Sequence, residues 1–253
     1  SLHWLTYVPQ LKEKLMPLPK INAPTYELVI PSSKKKIKYR PFLVKEEKIL
    51  VIAMESNDIQ DIARAVKQVL TNCILSRGIK IDKLSTFDIE YLFLNVRGKS
   101  VGESVEVMIT CPDDGETQVP ITVDLDAIQV TFDPAHNKDI TLDDTLTMRM
   151  KYPSLDQFIK ENFAVDGVGF EQSIDMIAGC VEMIFNKEET WSEADFTKKE
   201  MIAFLEGLGS KQFKELEQFF TTMPKLTHEL KITNPKTKVE NSIKLEGLAA
   251  FFN

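Results

Sequence analysis

The chain is poor in the residues that carry most enzymatic and metal chemistry. Its 253 residues include three histidines and three cysteines. His3, His136 and His228 are too dispersed to form a visible triad or metal motif. Cys73, Cys111 and Cys180 are odd in number and far apart, so they make no disulfide framework and suit a reducing compartment. There is no G-x-S-x-G, phosphate-binding loop, dinucleotide fingerprint or H-E-x-x-H, which lowers the prior for an enzyme. No apolar run reaches the roughly 18 residues that span a bilayer. Basic residues are in deficit, 31 against 38 acidic, and a net charge of −7 argues against general nucleic-acid affinity. The expectation is a non-enzymatic protein with no cofactor, no metal and no nucleic-acid, membrane or small-molecule partner. Residues 1–15 lack the basic start and apolar core of a signal peptide. Residues 1–17 read as an extension without an assigned role, with Met16 as an alternative start.

What is present suits a folded, soluble chain. It is 43% hydrophobic and 27% charged, enough for one large domain or two of roughly 100–120 residues. Residues 25–30 and 36–40 alternate as two strands around the turn Pro31-Ser32-Ser33-Lys34. Residues 43–55 and 58–75 read as helices, the second with a stripe of Ile59, Ile62, Ala63, Val66, Leu70 and Cys73. Ser85-Thr86-Phe87-Asp88 looks like a capping box opening a helix to about Arg97. Val105, Val107 and Ile109 should face Val119, Ile121 and Val123 across a hairpin turned by Asp113-Asp114-Gly115. More strand is expected near 127–132 and 145–151. The second half reads as mostly helical: a helix after Ser154, a broadly apolar helix over 170–186, and one from the capping box Thr197-Lys198-Lys199-Glu200. A further helix follows Ser210, then a hairpin over 226–233 and 239–245.

The order of elements repeats. Ile37-Lys38-Tyr39-Arg40-Pro41-Phe42 and Met150-Lys151-Tyr152-Pro153-Ser154-Leu155 each close a β-pair and open a helix. Each half ends in a hairpin with a related turn, Ile109-Thr110-Cys111-Pro112 and Ile232-Thr233-Asn234-Pro235. This predicts an α+β fold of two pseudo-repeated units, 18–135 and 136–253, with hairpins packed by helices and a more helical second half.

The candidate sites each have a plain alternative. Cys111-Pro112-Asp113-Asp114-Gly115 would be half a zinc ribbon, but Asp114 stands where a second cysteine is needed, so a hairpin turn with a free thiol is favoured. Asp113, Asp114, Glu116, Asp124 and Asp126 read as a solvated acidic edge rather than a cation site, with Asp124 and Asp126 sharing a face if the strand continues past Asp124. His228 alternates with Leu226, Leu230 and Ile232 as a core or interface histidine. Lys34, Lys35, Lys36, Lys38 and Arg40 are either a solvated turn or a docking surface for an acidic partner. Phe219, Phe220, Met223 and Leu248 concentrate apolar surface near the end, where Phe251 and Phe252 are either core or a partner anchor.

Several stretches resemble a baseplate hub family of T-even-type contractile-tailed bacteriophages, closest to cyanobacterial-phage versions. They include Ala23-Pro24-Thr25-Tyr26-Glu27-Leu28, Tyr39-Arg40-Pro41-Phe42-Leu43, Phe87-Asp88-Ile89-Glu90-Tyr91, Cys111-Pro112-Asp113-Asp114-Gly115 and Thr222-Met223-Pro224-Lys225-Leu226. The likeness runs over roughly 18–253. It implies a late viral protein of tail assembly that binds other baseplate hub proteins in the host cytoplasm, through the basic hairpin and the hairpin 225–246. The alternatives are a permanent hub subunit of the virion and, less favoured, a metal-dependent tail-tip enzyme. The resemblance brings no catalytic residues.

Overall fold

The computed structural model describes residues 18–163 and 169–251. The chain opens with an antiparallel hairpin, β1 (Tyr26–Val29) and β2 (Lys36–Tyr39), followed by helices α1 (Val44–Glu55), α2 (Ile59–Cys73) and α3 (Thr86–Val101). A second hairpin, β3 (Ser104–Thr110) and β4 (Gln118–Asp124), leads to the short strand β5 (Gln129–Thr131). Next come β6 (Asp139–Thr141), β7 (Thr147–Met150), α4 (Leu155–Phe163) and α5 (Phe170–Gly179). Then follow β8 (Val181–Phe185), β9 (Thr190–Ser192), α6 (Lys198–Glu206) and α7 (Ser210–Thr222). The last hairpin is β10 (Lys225–Thr233) and β11 (Glu240–Glu246), with a 3-10 turn Leu248–Phe251 after it. The class is α+β, with every sheet antiparallel.

Local chemistry explains the elements that sequence predicts best. Asp58 caps α2 by accepting from the Gln60 and Asp61 N–H groups, and the helix buries Ile62, Val66, Val69, Leu70 and Cys73. In β3–β4 the expected register holds: Val105 pairs with Val123, Val107 with Ile121 and Ile109 with Val119. Thr197 and Glu200 form the predicted capping box of α6.

Other expectations change. The apolar stretch 170–186 is not one helix. It is α5, a turn at Cys180, and β8, which lies between β7 and β9 in the sheet β6-β7-β8-β9. A short apolar central strand and a buried helix look alike by periodicity, and Gly179 marks the break. Ser85 makes no side-chain cap bond, and the Asp88 carboxylate accepts from the Ser32 N–H and hydroxyl. Asp124 and Asp126 share no strand face. The strand ends at Asp124, whose carboxylate accepts the Asp126 N–H in a 3-10 turn.

The buried apolar side chains of the described residues gather into two cores. The first joins the opening hairpin, α1–α3 and β3–β4 to Leu155, Phe158 and Ile159 of α4, Leu226 and Ile232 of β10, and Leu248 and Phe251. The second gathers Met148, Met150, Ile177, Val181, Met201, Leu205, Leu216 and Phe219. The chain leaves the first core after β5, revisits it through α4, and rejoins it when β10 pairs with β5 at Leu226↔Val130. Rings join the cores. Phe87 of α3 meets Tyr152 edge-on at 5.0 Å, and Tyr152 stacks on Phe219 of α7 at 5.6 Å. Such pairs add about 0.5–1.5 kcal/mol each beyond area burial.

Gly98 shows how closely the first core is fitted. A Cβ there would stand 2.5 Å from Cδ1 of Leu125, itself 1% exposed. Gly98→Ala is expected to destabilise the protein by about 1–3 kcal/mol, read as a lower midpoint in urea unfolding.

Candidate interaction surface

Alternation along β2 decides which residues of the basic run meet water. Ile37 and Tyr39 point into the first core, so Lys36 and Lys38 point outward. The hairpin is held on its other edge by the end of α2. The Leu75 N–H donates to the Lys38 carbonyl at 2.8 Å, the Arg40 N–H to the Cys73 carbonyl at 2.9 Å, and Lys38 N–H to Ser76 Oγ at 2.9 Å. Ser32, bonded to Asp88, fixes the tip. Lys34 takes a left-handed conformation (φ 57°) and lays its ammonium 4.5 Å over the exposed Phe132 ring. The backbone cost of roughly 1 kcal/mol is offset in part by that cation–π contact. Lys35 Nζ reaches the Arg77 carbonyl at 3.4 Å, and Lys36 pairs with Glu27 at 2.6 Å. All four lysines remain exposed.

Arg40 departs from this set. Its guanidinium turns inward and grips Glu46 through two bonds of 3.1 and 2.8 Å, with a third contact to Cys73 Sγ at 3.5 Å. The Glu46 side chain is fully buried and also accepts the Leu43 N–H at 2.8 Å. Burial alone would raise the Glu46 pKa; Arg40 and the Leu43 N–H outweigh it and leave it lowered. Arg40 is a structural cation, not part of the exposed patch.

The remaining candidate residues disperse. His228 is half-buried on β10, 3.3 Å from the Ala127 carbonyl. Phe251 is 1% exposed and belongs to the first core, so it presents no anchor in this fold. Phe252 lies outside the described residues. Cys73 and Cys180 are buried thiols pushed up to about 12 by desolvation, and burial raises Cys111 too. The acidic turn after Cys111 docks on the last hairpin. Asn234 Nδ2 donates to Asp113 and Asp114 at 3.0 Å each, Asn241 Nδ2 donates to Asp113 at 2.9 Å, and Thr237 donates to Asp113. The two turns that look alike in sequence thus meet in space. Asp113 and Asp114 are held ionised by these donors and the Thr117 groups, and their oxygens are occupied as a structural latch.

Two features escape sequence reading. Glu90, 8% exposed on α3, lies beside Glu161 of α4 at a cavity of about 330 Å³. Burial, then Glu161, pushes the Glu90 carboxyl up to about 7 against an Asn162 hydrogen bond. The second is a groove of about 440 Å³ whose walls carry Lys83, Lys138, Lys151, Lys160 and Lys198. These lysines are scattered along the chain, so no basic run announces them. The one legible hint at Glu90 is its place on an otherwise apolar stretch, Ile89 to Leu94.

Two predictions follow from the buried charges. Arg40→Ala leaves the Glu46 carboxylate unpaired and should cost about 3–5 kcal/mol in chemical unfolding. Glu90 favours its protonated form when folded. Its contribution is complete below its ordinary value near 4.5 and is lost as pH rises through about 7. Glu90→Gln should therefore raise the melting temperature at pH 8, by on the order of 2 kcal/mol of stability, and change it little at pH 4.5. An equal shift at both pH values would contradict the assignment.

A family model described as T4 bacteriophage base plate protein matches residues 23–253. No curated protein and no solved structure matches the chain.

Proposed function

The chain belongs to the T4 bacteriophage base plate protein family, and we propose that within it this protein is a non-enzymatic assembly factor that binds baseplate hub components while the tail is built. The observation that carries the reading is the rigidly held β1–β2 hairpin. It presents Lys34, Lys35, Lys36 and Lys38 to solvent on a chain of net charge −7. A fixed cluster of one sign on a surface of the other speeds encounter with a complementary partner and selects against wrong ones. The partner face would be acidic. Polar docking of this kind suits association that must later be released. The non-enzymatic part is supported by the chemistry at hand: the thiols are raised by burial, and the Asp113 and Asp114 oxygens are engaged by the last hairpin.

One observation favours a second reading, a permanent subunit of the baseplate hub. The outer side of α1 exposes Val44 at 81%, Val51 at 53%, Ile52 at 56% and Met54 at 50%. Apolar surface left on a helix suits a lasting interface. Quantitative mass spectrometry of purified particles against infected-cell lysate separates the two. A fixed stoichiometry in particles favours the permanent subunit; abundance in lysate with near absence from particles favours the assembly factor.

Reversing Lys34, Lys35, Lys36 and Lys38 to glutamate should weaken capture of baseplate hub proteins at least tenfold while the melting temperature stays unchanged. Unaltered capture by the reversed variant would remove the hairpin from the interface.

A further inference from the structure

The groove that carries Lys83, Lys138, Lys151, Lys160 and Lys198 is a second cationic surface, distinct from the hairpin. Its walls come from both apolar cores: residues 82–85 just before α3 and the first turns of α4 on one side, the end of α5 and the start of α6 on the other. Three carboxylates share the lining, and most are spoken for. Asp82 pairs with Lys67 at 3.3 Å and Asp175 with Lys198 at 2.8 Å. Lys151 pairs with Glu193. Lys138 lies 4.5 Å over the Tyr152 ring, and among the described residues neither Lys83, Lys138 nor Lys160 has a carboxylate partner. Once the pairs are set aside, three lysines face one free carboxylate, Asp156. A chain with seven surplus negative charges has gathered unneutralised cations in one concave place.

We propose that this groove receives a carboxylate-rich segment of a partner protein. The inference rests on the reading of the chain as a docking protein of the baseplate and gives it a second contact surface. A cavity of about 440 Å³ is within the size range that a short segment or small ligand fills. Lysines act as separate point charges, which suits carboxylates spaced along a peptide better than the bidentate geometry that arginine provides. The ring in the groove is committed. Tyr152 is stacked on Phe219 and His136, so it offers no free platform for a base. Because the walls belong to both cores, an acidic segment seated here would tie them together.

The test is fluorescence anisotropy of the full chain with a short fluorescein-labelled poly-glutamate peptide, at low and at physiological salt. The expected result is saturable binding that weakens as salt rises. Lys83→Glu with Lys160→Glu should weaken it at least tenfold, with the melting temperature unchanged. Lys83→Gln with Lys160→Gln, which introduces no new repulsion, should weaken it in the same direction. Peptide binding by both double variants at the wild-type level would overturn the proposal, as would tighter binding of a labelled oligothymidylate than of the peptide. The hairpin variant Lys35→Glu with Lys38→Glu should keep the peptide bound, so failure at the groove and failure at the hairpin are read from different proteins.

Discussion

A carboxylate that stays ionised without water needs a partner to replace it, and Glu46 is such a carboxylate. Its side chain is fully buried at the start of α1, where the first hairpin hands over to the first helix. Arg40 supplies the cation from the last position of the basic run. That pairing ties the hairpin to α1, while the carbonyls of Lys38 and Cys73 tie it to the end of α2. The hairpin is therefore a fixed feature of the first core and not a loose arm. Its lysines are displayed because alternation along β2 places Ile37 and Tyr39 inside. One ion pair separates the cation that holds the fold from the cations that meet a partner.

The same economy of roles runs through the acidic residues. Asp113 and Asp114 read from sequence as a solvated acidic edge, yet they latch the β3–β4 turn to the turn of the last hairpin. Asp88 holds the basic tip through Ser32. Burial raises the pKa of both Asp88 and Glu90, which have no ion pair among the described residues, and Glu90 stands at the cavity where the two cores meet. Among the described residues, paired Glu46 and unpaired Glu90 therefore respond to pH in opposite senses. Lowered Glu46 gives stability that is lost in acid; raised Glu90 gives stability that is lost as pH rises.

Much of this was legible in the sequence where one physical rule dominates. The α2 stripe, the β3–β4 register and the Thr197–Glu200 cap follow from periodicity and capping alone. The reading failed where tertiary context decides. Val181–Phe185 is apolar but for Glu182 and fits a buried helix as well as a central strand. Arg40 looks like its lysine neighbours until Glu46 is placed against it. Phe251 looks like an anchor until the chain returns to the first core. The lysines of the groove lie on five separate stretches, and only the packing of the two cores brings them together.

The central claim is that exposed lysines of this protein contact acidic residues of another baseplate component. Zero-length carbodiimide cross-linking of tail-assembly intermediates tests it directly, because that chemistry joins only amines and carboxylates already in contact. The account predicts cross-links from Lys34, Lys35 or Lys38 to aspartate or glutamate of a second phage protein. Intermolecular cross-links that arise only from this chain's own carboxylates, with none from those lysines, would contradict it.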